Sequence, residues 1–359
     1  MTAPEAVVVS YRLGGADGVA VEAAKWEWAL RELGFTVRRV AGEFELLRPD
    51  DTWLPFLAID PVPGARVDAG ALGAAIAGAD LVIVENLCSL PLNVEAATVT
   101  RDVLDAHRGR VCFHHHDFAW ERPHLAHVDG FPPKRANSLH VTVSEHGRRD
   151  LEARGFDAVC VHNSFDFDAP AGDREQTRSD LAVAAHAVLL VQPTRAIPRK
   201  NVDGGLRFAA ELAMHLESVD VQYWITGPAE DGYDDEFARL LAHASIPVHV
   251  GRAHHPADAY AAADLVVFPS TWEGFGNPVI ESTAARRMLA VGSYPALDEL
   301  VDGLHVLPVN DVAPAAEWLR NPRADVVEHN FAHARARFSL EHLPARIEAA
   351  LLGVGWAHW

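Results

Sequence analysis

The chain has 359 residues, 49% hydrophobic and 23% charged, which suits roughly two domains and excludes disordered and fibrous classes. Its net charge is -19; 16 basic and 23 acidic residues lie within the first 165 positions, 15 and 27 beyond them. Neither half therefore presents the broad basic face that nucleic acid or an anionic membrane requires.

Ala6–Ser10 (AVVVS), β-branched and apolar on both faces, predicts a buried strand, and Gly14 and Gly15 follow it in a loop. The next helix has Asp17 as N-cap, a stripe of Val19, Ala23, Trp26, Leu30 and Leu33, and Gly34 as its stop. Glu22, Glu27 and Glu32 outnumber Lys25 and Arg31 along it, which predicts an acidic polar face repelled by anionic lipid. Further strands are expected at 35–40, 80–85, 110–115, 139–144 and 157–163, with Ser144 capping the helix after the fourth of these. Residues 164–180 are polar and turn-rich and read as a connection. The alternation restarts with strands at 188–192, 221–227, 246–250, 264–270, 288–292 and 305–309, and the last fifty residues look mainly helical. This rhythm predicts an α/β chain of two doubly wound, Rossmann-like halves facing across a cleft, with ligands at the carboxyl ends of the strands. The expected boundaries are 1–165, 166–335, and a helical segment 336–359 packing back toward the N-terminal domain.

Cys88, Cys112 and Cys160 are too few and too widely spaced for a disulfide framework or a CxxC metal pattern, and read as reduced cytoplasmic thiols. MTAPEAVVVSYR lacks the features of a signal peptide, and no uncharged apolar stretch approaches 18 residues, so no stable membrane insertion is expected.

The most informative segment is Asp264–Glu281, DLVVFPSTWEGFGNPVIE. A buried strand runs into a loop carrying Glu273, Gly274, Phe275 and Gly276, then into a helix with Asn277 as N-cap, Pro278 at the first position and Glu281 in the first turn. A Gly-rich loop at a helix N-terminus is an anion site, because free N–H groups and the helix dipole converge there. Carboxylates flanking such a cradle suit a ligand with hydroxyls on both sides of its phosphates, as in a nucleotide sugar. A second constellation is Pro193–Asn201 (PTRAIPRKN). Arg195 and Lys200 stand five apart in a loop, where both heads can reach one anion, and Lys200 is one of only three lysines in the chain. Arg199 is a partner or a bystander.

Glu273 and Glu281, seven residues apart in between, together with Arg195 and Lys200, resemble the retaining GT-B glycosyltransferases of family four. The resemblance implies an N-terminal acceptor domain and a C-terminal donor domain. It assigns Glu273 to donor-sugar hydroxyls, Glu281 to the ribose, and Arg195 and Lys200 to the diphosphate. The glycine-rich loop of the family matches Gly14 and Gly15, and its His-Asp pair matches His116 and Asp117 within HHHDFAWER. His115 is the alternate at a one-residue shift. Asn163 and Gly251 are weaker echoes at the hinge and the base. Glu85, Asn86 and His115 are the expected acceptor contacts.

A metal reading of His114, His116 and Asp117 finds no further ligand at suitable spacing, so no metal and no cofactor are expected beyond the sugar nucleotide itself. The family reaction transfers a sugar to an acceptor hydroxyl with retention, and the acidic first half points to a small, water-soluble acceptor. A sugar-nucleotide epimerase and a non-catalytic sugar-nucleotide-binding protein stay open as alternatives. Arg286 and Met288 depart from the family's usual Gly and Pro, which bears on subfamily.

Overall fold

The computed structural model describes residues 3–15, 17–217 and 219–356. It divides into two compact units. The first takes the residues through Ser164 together with those from Leu340 onward, and the second is Phe165–Ser339.

The first unit is built on β1 (Glu5–Leu13), β2 (Thr36–Phe44), β3 (Thr52–Trp53), β4 (Leu81–Glu85), β5 (Arg110–His115), β6 (Ser138–Thr142) and β7 (Ala158–Cys160), in the order β3-β2-β1-β4-β5-β6-β7. Every pair is parallel. Alternate residues of β1 enter different cores, Ala6 and Val8 on one face and Val7 and Val9 on the other, which is why its apolar run is continuous. The helix Leu343–Gly353 belongs to this unit; its Leu343, Ile347 and Leu351 share a core with Trp26 and Leu30.

The second unit repeats the plan with β8 (Val188–Gln192), β9 (Val221–Ile225), β10 (Val248–Val250), β11 (Leu265–Phe268), β12 (Leu289–Val291) and β13 (Leu307–Pro308), in the order β10-β9-β8-β11-β12-β13. These pairs are parallel as well. In each unit the order reverses beside the first strand, between β1 and β4 and between β8 and β11, which opens a crevice outside the carboxyl ends. Among the described residues, no helix is long and apolar enough to cross a membrane.

One expectation is corrected by the helix Gly18–Glu32. Asp17 caps it as expected, accepting from the amides of Val19 and Ala20 at 3.1 and 3.3 Å. Glu22 and Glu27, however, do not face solvent: they are 0% and 1% exposed. Glu22 pairs with Lys25 at 2.5 Å, and Glu27 with Arg48 at 2.8 Å and Arg31 at 3.3 Å. Buried carboxylates need such partners, and Arg48 comes from a loop that helical periodicity cannot see. The acidic stripe is therefore absent.

Candidate active site

In the second unit, β11 delivers a loop to the helix Asn277–Ala284. Gly276 sits at φ +111, and a Cβ there would come within 2.1 Å of the Tyr294 hydroxyl, so only glycine fits. Gly276 therefore takes the N-cap, not Asn277, which becomes the first helical residue ahead of Pro278. The helix starts one position early, and Glu281 falls past its first turn. The Glu281 carboxylate accepts from the buried Tyr260 hydroxyl, a partner from the helix Pro256–Ala262.

Glu273, 6% exposed, is the hub of this loop. Its Oε1 accepts from Lys200 Nζ at 2.5 Å, and its Oε2 from Arg199 Nη1 at 2.6 Å. Both cations ride on the turn Pro198–Lys200, pinned where the Thr271 amide donates to the Arg199 carbonyl at 2.9 Å. Below it, Gln192 at the end of β8 donates to the Lys200 carbonyl at 2.9 Å and accepts from Tyr223 at 2.9 Å. Burial would raise the Glu273 carboxyl, but Lys200 and Arg199 outweigh it and hold it below the carboxylate range. Lys200 is pushed down to about 8, chiefly by burial, with Arg199 and Arg195 adding repulsion against the pull of Glu273.

Arg195 and Lys200, expected to reach one anion, have separate carboxylate partners in the structure. Lys200 is buried against Glu273, and Arg199 is its partner in that contact. Arg195 instead pairs with Glu230 at 2.5 Å, each side chain about one-third exposed. Phe275 is 4% exposed, with rings of Phe165 and Phe338 about it at 6.2 and 6.1 Å. Gly251 stands at φ +142 after β10, its carbonyl accepting from Trp224 Nε1 at 2.9 Å. Gly274 lies half-buried in the Glu273 loop.

In the first unit, Gly14 stands at φ +74, and Cβ atoms on Gly14 and Gly15 would meet the Leu46 carbonyl at 3.2 Å and the Glu45 carboxylate at 2.9 Å. The glycine loop after β1 is closely packed against residues 45–46. Asn163 is buried near the end of this unit.

β4 and β5 place Glu85 and His114 side by side. Glu85 is completely buried, and its Oε2 lies 2.8 Å from His114 Nδ1 and 3.0 Å from His116 Nε2. A carboxylate only accepts, so both ring nitrogens carry the hydrogen. Burial would raise Glu85, but the two histidines overcome it and hold the carboxyl at about 2. Burial likewise lowers His114 and outweighs Glu85 there, whereas at His116 the bond and charge of Glu85 win and the imidazole is raised. Ligand-type atoms of Glu85, His114 and His116 lie within 4.8 Å of one another, but the shared oxygen is hydrogen-bonded to both rings. The geometry is that of a hydrogen-bonded triad.

Two of the residues expected to contact the acceptor are buried here. His115 points to the opposite face, 1% exposed, between Ser89 Oγ at 2.5 Å and His140 Nδ1 at 2.9 Å. Glu85 is enclosed beneath the histidines and offers no surface to a ligand. Asn86, 5% exposed at φ +57, uses its side-chain oxygen on the amides of His116 and Asp117, both at 3.1 Å. Arg199, Glu230 and Tyr260 are the residues that sequence reasoning did not assign.

Residues 187–321 match the family described as Glycosyl transferases group 1. A mannosylglucosylglycerate synthase of Thermotoga maritima is 24% identical, over 94% of this chain and 97% of its own length. A D-inositol 3-phosphate glycosyltransferase of Streptosporangium roseum is 34% identical over 154 residues, 40% of this chain and 35% of that protein. Among solved structures, Anabaena HepE in complex with UDP-glucose superposes with a TM-score of 0.72 at 16% identity, covering 97% of this chain and 99% of that one. The sucrose-phosphate synthase of Thermosynechococcus elongatus gives 0.71 at 14%, covering 99% and 100%.

Proposed function

With the chain a GT-B glycosyltransferase, we propose that it moves a sugar from a nucleoside-diphosphate sugar to a hydroxyl of a small, water-soluble acceptor, with retention at the anomeric carbon and without a metal ion. The observation that carries this reading is the buried Glu273 with its two cations, at the start of a helix that bears Glu281 eight residues on. That cluster lies within the matched segment 187–321.

In the proposed reaction the leaving diphosphate gains negative charge while the sugar becomes oxocarbenium-like. Lys200, Arg195 and the backbone amides at the helix start would stabilise that growing charge, and fixed electrostatics of this kind is commonly the largest catalytic term. Glu273 would take the donor-sugar hydroxyls and Glu281, braced by Tyr260, the ribose. His116 would contact the donor sugar. Fixed cations do the neutralising that a metal would otherwise supply.

A small acceptor is supported by the net acidity of the first half and by the relative named mannosylglucosylglycerate synthase, whose name denotes a small glycoside. The outer face of the helix Gly18–Glu32 no longer contributes to that argument. HepE is described with UDP-glucose, so uridine donors are the first to test.

The test incubates the purified chain with a panel of sugar nucleotides and hydroxyl acceptors, with and without EDTA. Release of nucleoside diphosphate that requires acceptor and survives EDTA is expected, with the donor's anomeric configuration kept in the product by NMR. Inversion would overturn retention, and loss with EDTA would overturn metal independence. A changed sugar nucleotide without acceptor would indicate an epimerase.

A further inference from the structure

Three side chains of one short segment, Glu85, Asn86 and Ser89, reach three consecutive residues of another, His114, His115 and His116. Glu85 holds the rings of His114 and His116 through one oxygen, at 2.8 and 3.0 Å. Asn86 holds the backbone amides of His116 and Asp117, both at 3.1 Å. Ser89 takes the His115 ring at 2.5 Å, and its carbonyl accepts from the Ala119 amide at 3.0 Å. The segment is fixed in turn by Tyr11, whose hydroxyl donates to the carbonyls of Leu87 and Leu90 at 3.2 and 3.0 Å.

Asn86 pays out no regular strand geometry here: it stands at φ +57, in the left-handed region that asparagine tolerates better than most residues. That bend turns its side chain back onto β5 while the Glu85 backbone stays in register with His114. A completely buried carboxylate is costly unless donors satisfy it, so its retention beneath two histidines needs a reason. The His116 side chain is 8% exposed and that of His114 1%.

We propose that Glu85 and Asn86 are positioning residues for His116. Glu85 fixes the ring with Nε2–H turned inward, so that Nδ1 is the nitrogen presented outward, and Asn86 fixes the backbone that carries it. This rests on the reading of His116 as the donor-sugar contact. The groups facing His116 are Glu85 on β4, His114 on β5, Glu22 on the helix Gly18–Glu32 with its partner Lys25, and Asp117 with its partner Arg122 at 3.5 Å. Of these, Glu85 alone is hydrogen-bonded to the ring among the bonds described.

The experiment titrates the histidine rings of the intact protein by NMR, in the wild type and in Glu85→Gln. The expected result is a His116 midpoint above the ordinary imidazole value in the wild type and lower by about one pH unit or more in the variant. The pH profile of kcat should move with it, and Glu85→Asp should recover part of the shift. An unmoved His116 midpoint in Glu85→Gln overturns the role of Glu85. A moved midpoint with an unmoved kcat profile overturns its role in transfer. Asn86→Ala should lower kcat with little change in the midpoint; a wild-type kcat overturns its share. His116→Gln separates the underlying reading: wild-type turnover there sinks the donor-sugar assignment of His116, while the NMR titration still decides whether Glu85 holds the ring.

Discussion

Each unit buries one carboxylate at the carboxyl end of a central strand, and each carboxylate accepts from two cationic or ionisable partners. Glu85 ends β4 and is shared by two imidazoles; Glu273 lies in the loop after β11 and is shared by a guanidinium and an ammonium. The geometries are alike, but the partners titrate differently. Imidazoles change charge near neutrality, whereas Arg199 keeps its charge and Lys200 is held at about 8. The first cluster is therefore built to feel acid and the second to feel mild alkali.

The largest expected effect comes from removing one carboxylate at a time. Glu273→Ala leaves the buried Lys200 and the part-buried Arg199 without a counter-charge, which should cost up to about 3 kcal/mol of stability in thermal or urea unfolding. Turnover should fall at least about 100-fold, the scale of losing one fixed electrostatic contact. In Glu85→Ala the histidines can become neutral instead of remaining as stranded charges, so the cost should be smaller, about 1 kcal/mol. Equal losses would show that the two clusters are not electrostatically different.

The next effect is acid sensitivity in the first unit. Burial holds His140 at about 4, well below its ordinary 6.5, so it is neutral in the fold. The unfolded chain takes up this proton first. The stability from His140 is therefore complete above 6.5 and is lost as the pH falls toward 4, by about 3 kcal/mol. His115, its hydrogen-bonded neighbour, is lowered as well and acts in the same direction. Glu85, held at about 2, keeps its contribution through this window. His116 has the opposite sign: it is raised, so its contribution is present on the acid side and is lost as pH rises through its folded value. Unfolding of the wild type and of a His140→Phe variant between pH 7 and pH 4.5 checks this, the variant losing less.

Much of this arrangement was legible in the sequence, and the reason is periodicity. Buried parallel strands are continuous β-branched runs, so Arg110–His115 and Val188–Gln192 were placed to the residue. The two-residue edge strand Thr52–Trp53 is too short to leave any pattern. Strand alternation puts His115 on the opposite face from His114 and His116, but it cannot say what lies on the adjacent strand. Glu85 was recognisable only as a charge closing an otherwise apolar run, LVIVE; the register that sets it beside His114 belongs to the sheet. Tyr260 and Glu230 bond to residues 21 and 35 positions away, distances over which local spacing carries no information.

Alkali should act on the other cluster. On the proposed assignment, Lys200, held at about 8, should lose its charge above that pH and cease to balance the diphosphate. Donor affinity in the wild type should then fall by up to about tenfold per pH unit above that value. Calorimetric titration with a nucleoside diphosphate from pH 7 to 9.5 measures it. A flat profile would mean that Arg195 and Arg199 suffice without Lys200.

The smallest expected effect concerns Arg195. Its pair with Glu230 is about one-third exposed on both sides, and such pairs contribute at most about 1 kcal/mol because water already solvates both charges. Glu230→Gln should therefore leave unfolding almost unchanged. On the proposed assignment of Arg195 to the diphosphate, the same substitution frees its guanidinium and removes a negative charge beside it, so donor binding should tighten, by about threefold to tenfold in low salt. The gain should shrink as salt is added, since the group is near the surface. Weaker binding in Glu230→Gln would mean that Glu230 holds Arg195 in the binding posture instead of competing for it, and the pair would then belong with Glu273 and its cations as a built part of the donor site.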